Sequence, residues 1–132
     1  MTDTPAAVQT ILLVEDDDVV RRLTAEVLEE FGYRVHALRD APSALERLHS
    51  DQPFDLLMSD IGLPGMDGRQ LVEAARQLQP NLPVLFASGY DERELLEQVR
   101  ARDSGAATAS IVKPYDFKLL LSRLKELLGS QP

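Results

Sequence analysis

The stretch LLMSDIGLPGMDG, residues 56–68, is where the fold first becomes legible. Leu56, Leu57 and Met58 run into Ser59 and a lone carboxylate, Asp60, and a turn rich in glycine and proline follows. A short apolar run bounded by turn residues reads as a strand buried on both faces. Beyond the turn, Leu71, Val72, Ala75 and Leu78 recur at helical spacing, which predicts a helix over 68–78. Strand, tight turn and amphipathic helix make half of a βαβ unit. The aspartate at the end of the buried strand needs a cause, because a buried carboxylate must be paired, metal-bound or neutralised.

The same unit repeats on either side. TILLV (10–14) is a short β-rich run, and after it Val20, Leu23, Val27, Leu28 and Phe31 lie at helical spacing before a C-cap glycine, Gly32. YRVHAL (33–38) alternates as a strand near a sheet edge does, and Asp40 and Pro42 suit the first turn of a helix carrying Ala44, Leu45 and Leu48. FDLLMS (54–59) is the third strand and VLFAS (84–88) the fourth, with Pro80 and Pro83 punctuating the connection between them. A fourth helix is expected over Asp91–Arg102, with a thin stripe of Leu95, Leu96 and Val99. SIV (110–112) then precedes a strongly amphipathic helix with Phe117, Leu120, Leu121, Leu124, Leu127 and Leu128 inward. Five strands alternating with five helices predict an α/β fold: a single doubly wound domain whose parallel sheet is covered on both faces. The domain is expected over 10–128, with 1–9 and 129–132 as flexible termini.

Composition narrows the function. The 132 residues hold 14 Lys and Arg against 22 Asp and Glu, a net charge of −8, so phosphate backbones would repel the chain and direct nucleic-acid binding is disfavoured. The absence of cysteine excludes disulfides, thiol nucleophiles and cysteine metal sites. No apolar run reaches membrane-spanning length and the start carries no signal pattern, so a cytoplasmic protein without membrane insertion is expected.

In open parallel sheets, functional groups gather outside the carboxyl ends of the strands. Strand one ends in Glu15, Asp16 and Asp17, strand three in Asp60, strand four in Ser88 and strand five in Lys113. Singly, each has an ordinary explanation: a solvated helix N-terminus for the acids, a backbone-capping hydroxyl, a structural counter-ion, an N-cap. Jointly they place carboxylates, a hydroxyl and an ammonium at one rim. Clustered hard oxygens suit Mg²⁺, Lys113 supplies charge for an anion, and Ser88 a donor. Such groups around a nucleophilic carboxylate form a site for phosphoryl transfer, with Asp60 as the acceptor. Gly62 and Gly65 are expected to let backbone approach the metal or phosphate closely.

With ILLVEDD, LLMSDIGLPGMDG, VLFASGY and IVKPYDF in this order and spacing, the chain resembles the receiver domains of two-component response regulators over about 10–128. The resemblance implies a flavodoxin-like sheet of strand order 2-1-3-4-5. It implies that Asp60 takes a phosphoryl group from a histidine kinase or phosphotransfer protein. Asp16 would hold Mg²⁺ directly and Glu15 through water, with Asp60 and the Gly62 carbonyl as further ligands and Mn²⁺ as an alternative ion. Lys113 would bind the phosphoryl group, the bond to Pro114 would be cis, and Ser88 would be the switch hydroxyl. Output would pass to a downstream protein, or to a second copy in a homodimer, through the face of helix four, strand five and helix five. The ASGYD wording resembles receivers attached to hybrid histidine kinases. Self-phosphorylation with slow autodephosphorylation, rather than enzymatic turnover, is the activity implied.

One departure stands out. Three positions before the lysine, where the family commonly has an aromatic switch residue, this chain has Ser110; Tyr90 or Tyr115 would have to substitute, and a Tyr90 ring that shields an acyl phosphate from water is expected. Two other readings compete. One is a pseudo-receiver that binds without taking phosphate. The other is a small phosphohydrolase of the haloacid dehalogenase type, with Asp16 as nucleophile in Asp16-Asp17-Asp18-Val19, which leaves Asp60 without a role. The chain ends shortly after the last helix, so a stand-alone receiver or one cut from a larger chain is expected.

Overall fold

The computed structural model describes residues 8–50, 53–63, 65–89, 97 and 107–128. In chain order the elements are β1 (Thr10–Val14), α1 (Asp18–Glu30), β2 (Arg34–Leu38), α2 (Ala41–Ser50), β3 (Leu56–Asp60), α3 (Gly68–Leu78), β4 (Val84–Ser88), β5 (Thr108–Val112) and α4 (Phe117–Leu128). The five strands form one parallel sheet in the order β2-β1-β3-β4-β5. The helix expected over 91–102 lies outside the described residues.

Period-two alternation along the central strands builds two cores, because successive side chains point to opposite faces. Leu12, Val14, Leu57, Val84 and Phe86 meet α2 and α3 on one side. Ile11, Leu13, Leu56, Met58, Leu85 and Ala87 meet α1 and α4 on the other. β1 and β4 are buried throughout their length, and β3 until its last residue, which is why they read as unbroken apolar runs. β2, on the edge, is only partly buried.

The helix ends follow local chemistry. Asp17 caps α1 by accepting from the Val19 and Val20 amides, and Asp67 and Gln70 close a reciprocal capping box on α3. α1 stops where Gly32, at φ +95°, turns the chain back, with Tyr33 N–H donating to the Leu28 carbonyl and Gly32 N–H to that of Glu29.

Two expectations about burial fail. Leu23 on α1 and Phe31 at its C-cap are exposed, while Thr24 and Leu28, one turn apart, are the helix's buried pair. The apolar spacing of α1 permits more than one inward face, and Thr24 is tolerated inside because its hydroxyl has a partner. Leu78, the last residue of α3, is also exposed. Arg76 is the opposite case, a charged residue that the fold buries. It donates to the carbonyls of Leu82 and Ala107 and to Thr108 Oγ1, which ties α3 to the starts of β4 and β5. With those contacts β5 begins at Thr108, two residues before the apolar run that announced it.

Candidate functional site

The carboxyl ends of β1, β3 and β5 meet at one rim. Glu15 follows β1 directly, its amide bonded to the Leu38 carbonyl, and its side chain turns inward. One carboxylate oxygen, Oε2, accepts from the Asp17 amide at 3.0 Å; the other, Oε1, accepts from Lys113 Nζ at 2.8 Å. Asp60 closes β3. Its Oδ1 accepts from the Gly62 amide at 3.0 Å and its Oδ2 from the same Lys113 Nζ at 2.8 Å. One ammonium thus bridges two carboxylates from different strands. Asp16 stands exposed at the mouth, and Glu15, Asp16 and Asp60 each offer a carboxylate oxygen within 4.8 Å of the others. Burial pushes the Glu15 carboxyl up, and its hydrogen bonds from Lys113 and the Asp17 amide recover only part of that. Burial also works against the Lys113 ammonium, but hydrogen bonds and charge attraction from Asp60 and Glu15 overcome it and hold the group above the ordinary lysine value.

Three hard oxygens this close, one on an exposed side chain, fit a small divalent cation such as Mg²⁺, which needs few protein ligands and keeps several waters. The Gly62 amide points at Asp60 Oδ1, so the backbone of the turn lies against this carboxylate.

Ser88 ends β4, buried, one residue beyond Ala87, which pairs with Asp60 across the sheet. Its carbonyl accepts from the Lys113 amide, so Ser88 and Lys113 are fixed to one another through the backbone. The Lys113–Pro114 peptide bond is cis. Ser110 sits two residues before the end of β5, half-buried and paired with Phe86. Tyr115 points away from Ser88's neighbourhood towards α1, its hydroxyl hydrogen-bonded to Thr24 Oγ1, and burial raises its phenol above the ordinary value. Tyr90 lies outside the described residues.

The tightest backbone packing at this turn involves a third glycine, Gly68. A Cβ at Gly62 would only touch Asp60 Oδ1 at 4.0 Å, and Gly65 is required by its φ of +81°, with nothing within 4 Å. At Gly68 a Cβ would lie 2.6 Å from the Asp60 carbonyl oxygen and 2.9 Å from Ile61 Cα. The first residue of α3 is therefore pressed against the backbone of the candidate acceptor, and its amide bonds the Ile61 carbonyl. Its local context, MDG before a helix, marks a helix start and carries no trace of this contact. Arg21 is a second residue not anticipated: it donates to the Glu15 carbonyl and pairs with Asp18, bracing the acidic turn from α1.

A family model of the response regulator receiver domain matches residues 11–125. The chain is 34% identical over 118 residues to the response regulator receiver protein CpdR of Brucella abortus, covering 89% of this chain and 95% of that protein. It is 34% identical over 123 residues to the sensor kinase CckA of the same organism, where it spans 92% of this chain but only 13% of the kinase. Among solved structures, the receiver domain from the hybrid histidine kinase CckA aligns over 91% of this chain and 99% of its own, with TM-score 0.75 and 36% identity. The Vibrio cholerae chemotaxis protein CheY4 aligns over 92% and 100%, with TM-score 0.82 and 28% identity. With the fold, the acidic rim and a match across nearly the whole domain in agreement, this chain belongs to the receiver domains of two-component response regulators.

Proposed function

We propose that Asp60 is the phosphoacceptor of a Mg²⁺-dependent signalling domain. The observation that carries this is the Asp60 carboxylate itself, held between the Gly62 amide and the Lys113 ammonium within a cluster of three acids. The two hydrogen bonds orient the carboxylate before any donor arrives, and orientation is most of what phosphoryl transfer needs from a protein. In the transfer, a carboxylate oxygen of Asp60 forms a bond to phosphorus as the bond from phosphorus to the donor breaks. The leaving group is an imidazole nitrogen for a histidine kinase or phosphotransfer protein, and acetate for acetyl phosphate. Lys113 then has phosphoryl oxygens to bind, and Ser88 a hydroxyl to offer them.

Glu15, Asp16 and Asp60, with the Gly62 carbonyl, are the residues that would hold Mg²⁺ or Mn²⁺. When bound, such an ion would neutralise the negative charge that accumulates where a phosphoryl group meets three carboxylates. The resident lysine supplies part of that neutralisation without it. Output passes to a protein partner, or a second copy, through the face to which β5 and α4 contribute, by biasing two pre-existing conformations. The domain is the 10–128 unit, acting in the cytoplasm.

Ser110 favours one further reading, a pseudo-receiver that binds partners unmodified, since the position lacks its aromatic switch. Intact mass after incubation with acetyl phosphate and Mg²⁺ separates the readings. One phosphate adduct on the wild type, absent from Asp60→Asn, is the expected result. No adduct on folded wild type supports the pseudo-receiver, and an adduct persisting in Asp60→Asn moves the acceptor to Asp16.

A further inference from the structure

Lys113 is carried by the 113–116 segment between β5 and α4, and the carboxylates it bridges hang from β3 and from the start of the turn into α1. Something must hold that segment in place. Its own strand contributes the Lys113 amide bond to Ser88. On the α1 side, the segment borders an open hollow of about 390 Å³, lined by Val20, Leu23, Pro114 and Phe117 among others, so apolar packing is not continuous there. Tyr115 and Phe117 share an apolar cluster with Leu28 and Ala25 of α1, and one polar contact crosses to that helix, Tyr115 OH with Thr24 Oγ1.

Thr24 is 0% exposed, and a hydroxyl in such a place is costly unless bonded. It lies on the helix that Asp17 caps, and Asp17 in turn gives its amide to Glu15. Tyr115 is two residues beyond Lys113, and its ring packs edge-on against Phe117 at 5.8 Å between centroids. One hydrogen bond therefore fastens the helix behind the acidic turn to the segment behind the ammonium, joining residues 91 apart in sequence.

We propose that Tyr115 and Thr24 form a latch that positions Lys113 over Glu15 and Asp60, so that both are positioning residues for phosphoryl transfer. This rests on the assignment of Asp60 as acceptor and extends it to how its cationic partner is held. The latch uses the Tyr115 hydroxyl on α1, which removes Tyr115 as a stand-in for the aromatic switch missing at Ser110.

The test compares wild type, Tyr115→Phe, Thr24→Val, Thr24→Ser and the Tyr115→Phe/Thr24→Val double variant. Two readouts are taken: the rate of Asp60 labelling at saturating acetyl phosphate and Mg²⁺, and the ¹⁵N resonance of the Lys113 ammonium. Each of Tyr115→Phe and Thr24→Val is expected to slow labelling about fivefold, the rate equivalent of one hydrogen bond of ordinary net strength. The double variant should be no slower than the singles, Thr24→Ser should regain the rate lost in Thr24→Val, and the Lys113 signal should broaden in both singles as solvent exchange quickens. A loosening of packing alone would not be rescued by the serine hydroxyl. Wild-type labelling rates with an unchanged Lys113 signal overturn the latch and leave Asp60 as acceptor. Multiplying losses in the double variant also overturn it. Wild type that takes no phosphoryl group overturns the Asp60 assignment and, with it, the role of the latch. If Thr24→Val does not fold, Tyr115→Phe decides: a wild-type rate refutes the proposal.

Discussion

Replacing Lys113 by methionine removes the ammonium and keeps most of the apolar stem, which isolates the charge. Both bridging contacts measure 2.8 Å. At an effective dielectric of about 20, two unit charges at that separation attract by roughly 6 kcal/mol. Most of this gross attraction is offset by the water each group gives up. The Lys113 side chain is 23% exposed, Glu15 4% and Asp60 12%, so the site lies between an exposed pair and a fully buried one. Exposed pairs contribute about 0.2–1 kcal/mol and breaking a buried pair costs about 3–5 kcal/mol, which brackets the loss for Lys113→Met near 2 kcal/mol. Urea unfolding in EDTA at low ionic strength measures it.

The sharper part of the prediction is the sign of a second substitution. In the wild type, Glu15→Gln removes one partner of the ammonium and destabilises. In Lys113→Met the same change removes one of two neighbouring carboxylates that now repel, and the amide oxygen of the new side chain can still accept from the Asp17 N–H, so the effect should vanish or reverse. A coupling of about 1–2 kcal/mol between the two sites is expected, within the usual range for residues in direct contact. Additive losses from the two substitutions would refute the view that one ammonium neutralises both carboxylates, whatever the size of either loss alone.

Gly68→Ala should destabilise by about 2 kcal/mol or more, because the new methyl meets backbone that has no room to yield, and should slow Asp60 labelling at least tenfold by displacing the acceptor strand end; thermal unfolding and the labelling rate read the two effects separately. Arg76→Met, which strips donors from the Leu82 and Ala107 carbonyls and from Thr108, is expected to cost about 2–4 kcal/mol in urea unfolding. Asp40→Ala should cost about 1 kcal/mol at pH 7 by uncapping α2. Hydrogen bonds from the Ser43 side chain and backbone hold the Asp40 carboxyl below its ordinary value of 3.8. Its contribution is therefore complete above that value and is lost as pH falls through the lower folded one, so wild type and variant should still differ near the ordinary value and converge in acid unfolding only below the depressed one.

The strands were easy to recognise because a parallel sheet buried on both faces writes its central strands as unbroken apolar runs, and β1, β3 and β4 are such runs. The acidic rim was legible for a topological reason: once strands are parallel, their carboxyl ends must share an edge, and Asp60 and Ser88 are the final residues of their strands while Glu15 and Lys113 are the first residues beyond theirs. What stayed hidden depends on contacts between distant parts of the chain. Thr24 looks like a polar residue on a solvent face until Tyr115 reaches it. Arg76 looks like a surface arginine until the carbonyls of Leu82 and Ala107 take its guanidinium. Gly68 looks like a helix start, and only the packed turn shows that a side chain there would strike the Asp60 backbone.

Lys113 is the instructive case, because its two sequence readings, counter-ion for the acids and binder of a phosphoryl group, looked like rivals. If Asp60 is the phosphoacceptor proposed above, they are successive states of one side chain. With Asp60 a bare carboxylate, the ammonium lies 2.8 Å from Asp60 Oδ2 and 2.8 Å from Glu15 Oε1 and offsets the charge of both. A phosphoryl group on Asp60 would convert one of its carboxylate oxygens into the bridging oxygen of a mixed anhydride and present more strongly charged oxygens slightly further out. The ammonium that neutralised the acceptor then has a better partner within its reach, at the end of a flexible four-carbon stem. Glu15 loses part of its neutralisation in the same step, in a place where burial already works against its charge. The charge change at Asp60 would thereby reach the turn that leads into α1 and the 113–116 segment together, and Tyr115 and Thr24 join that segment to α1 itself.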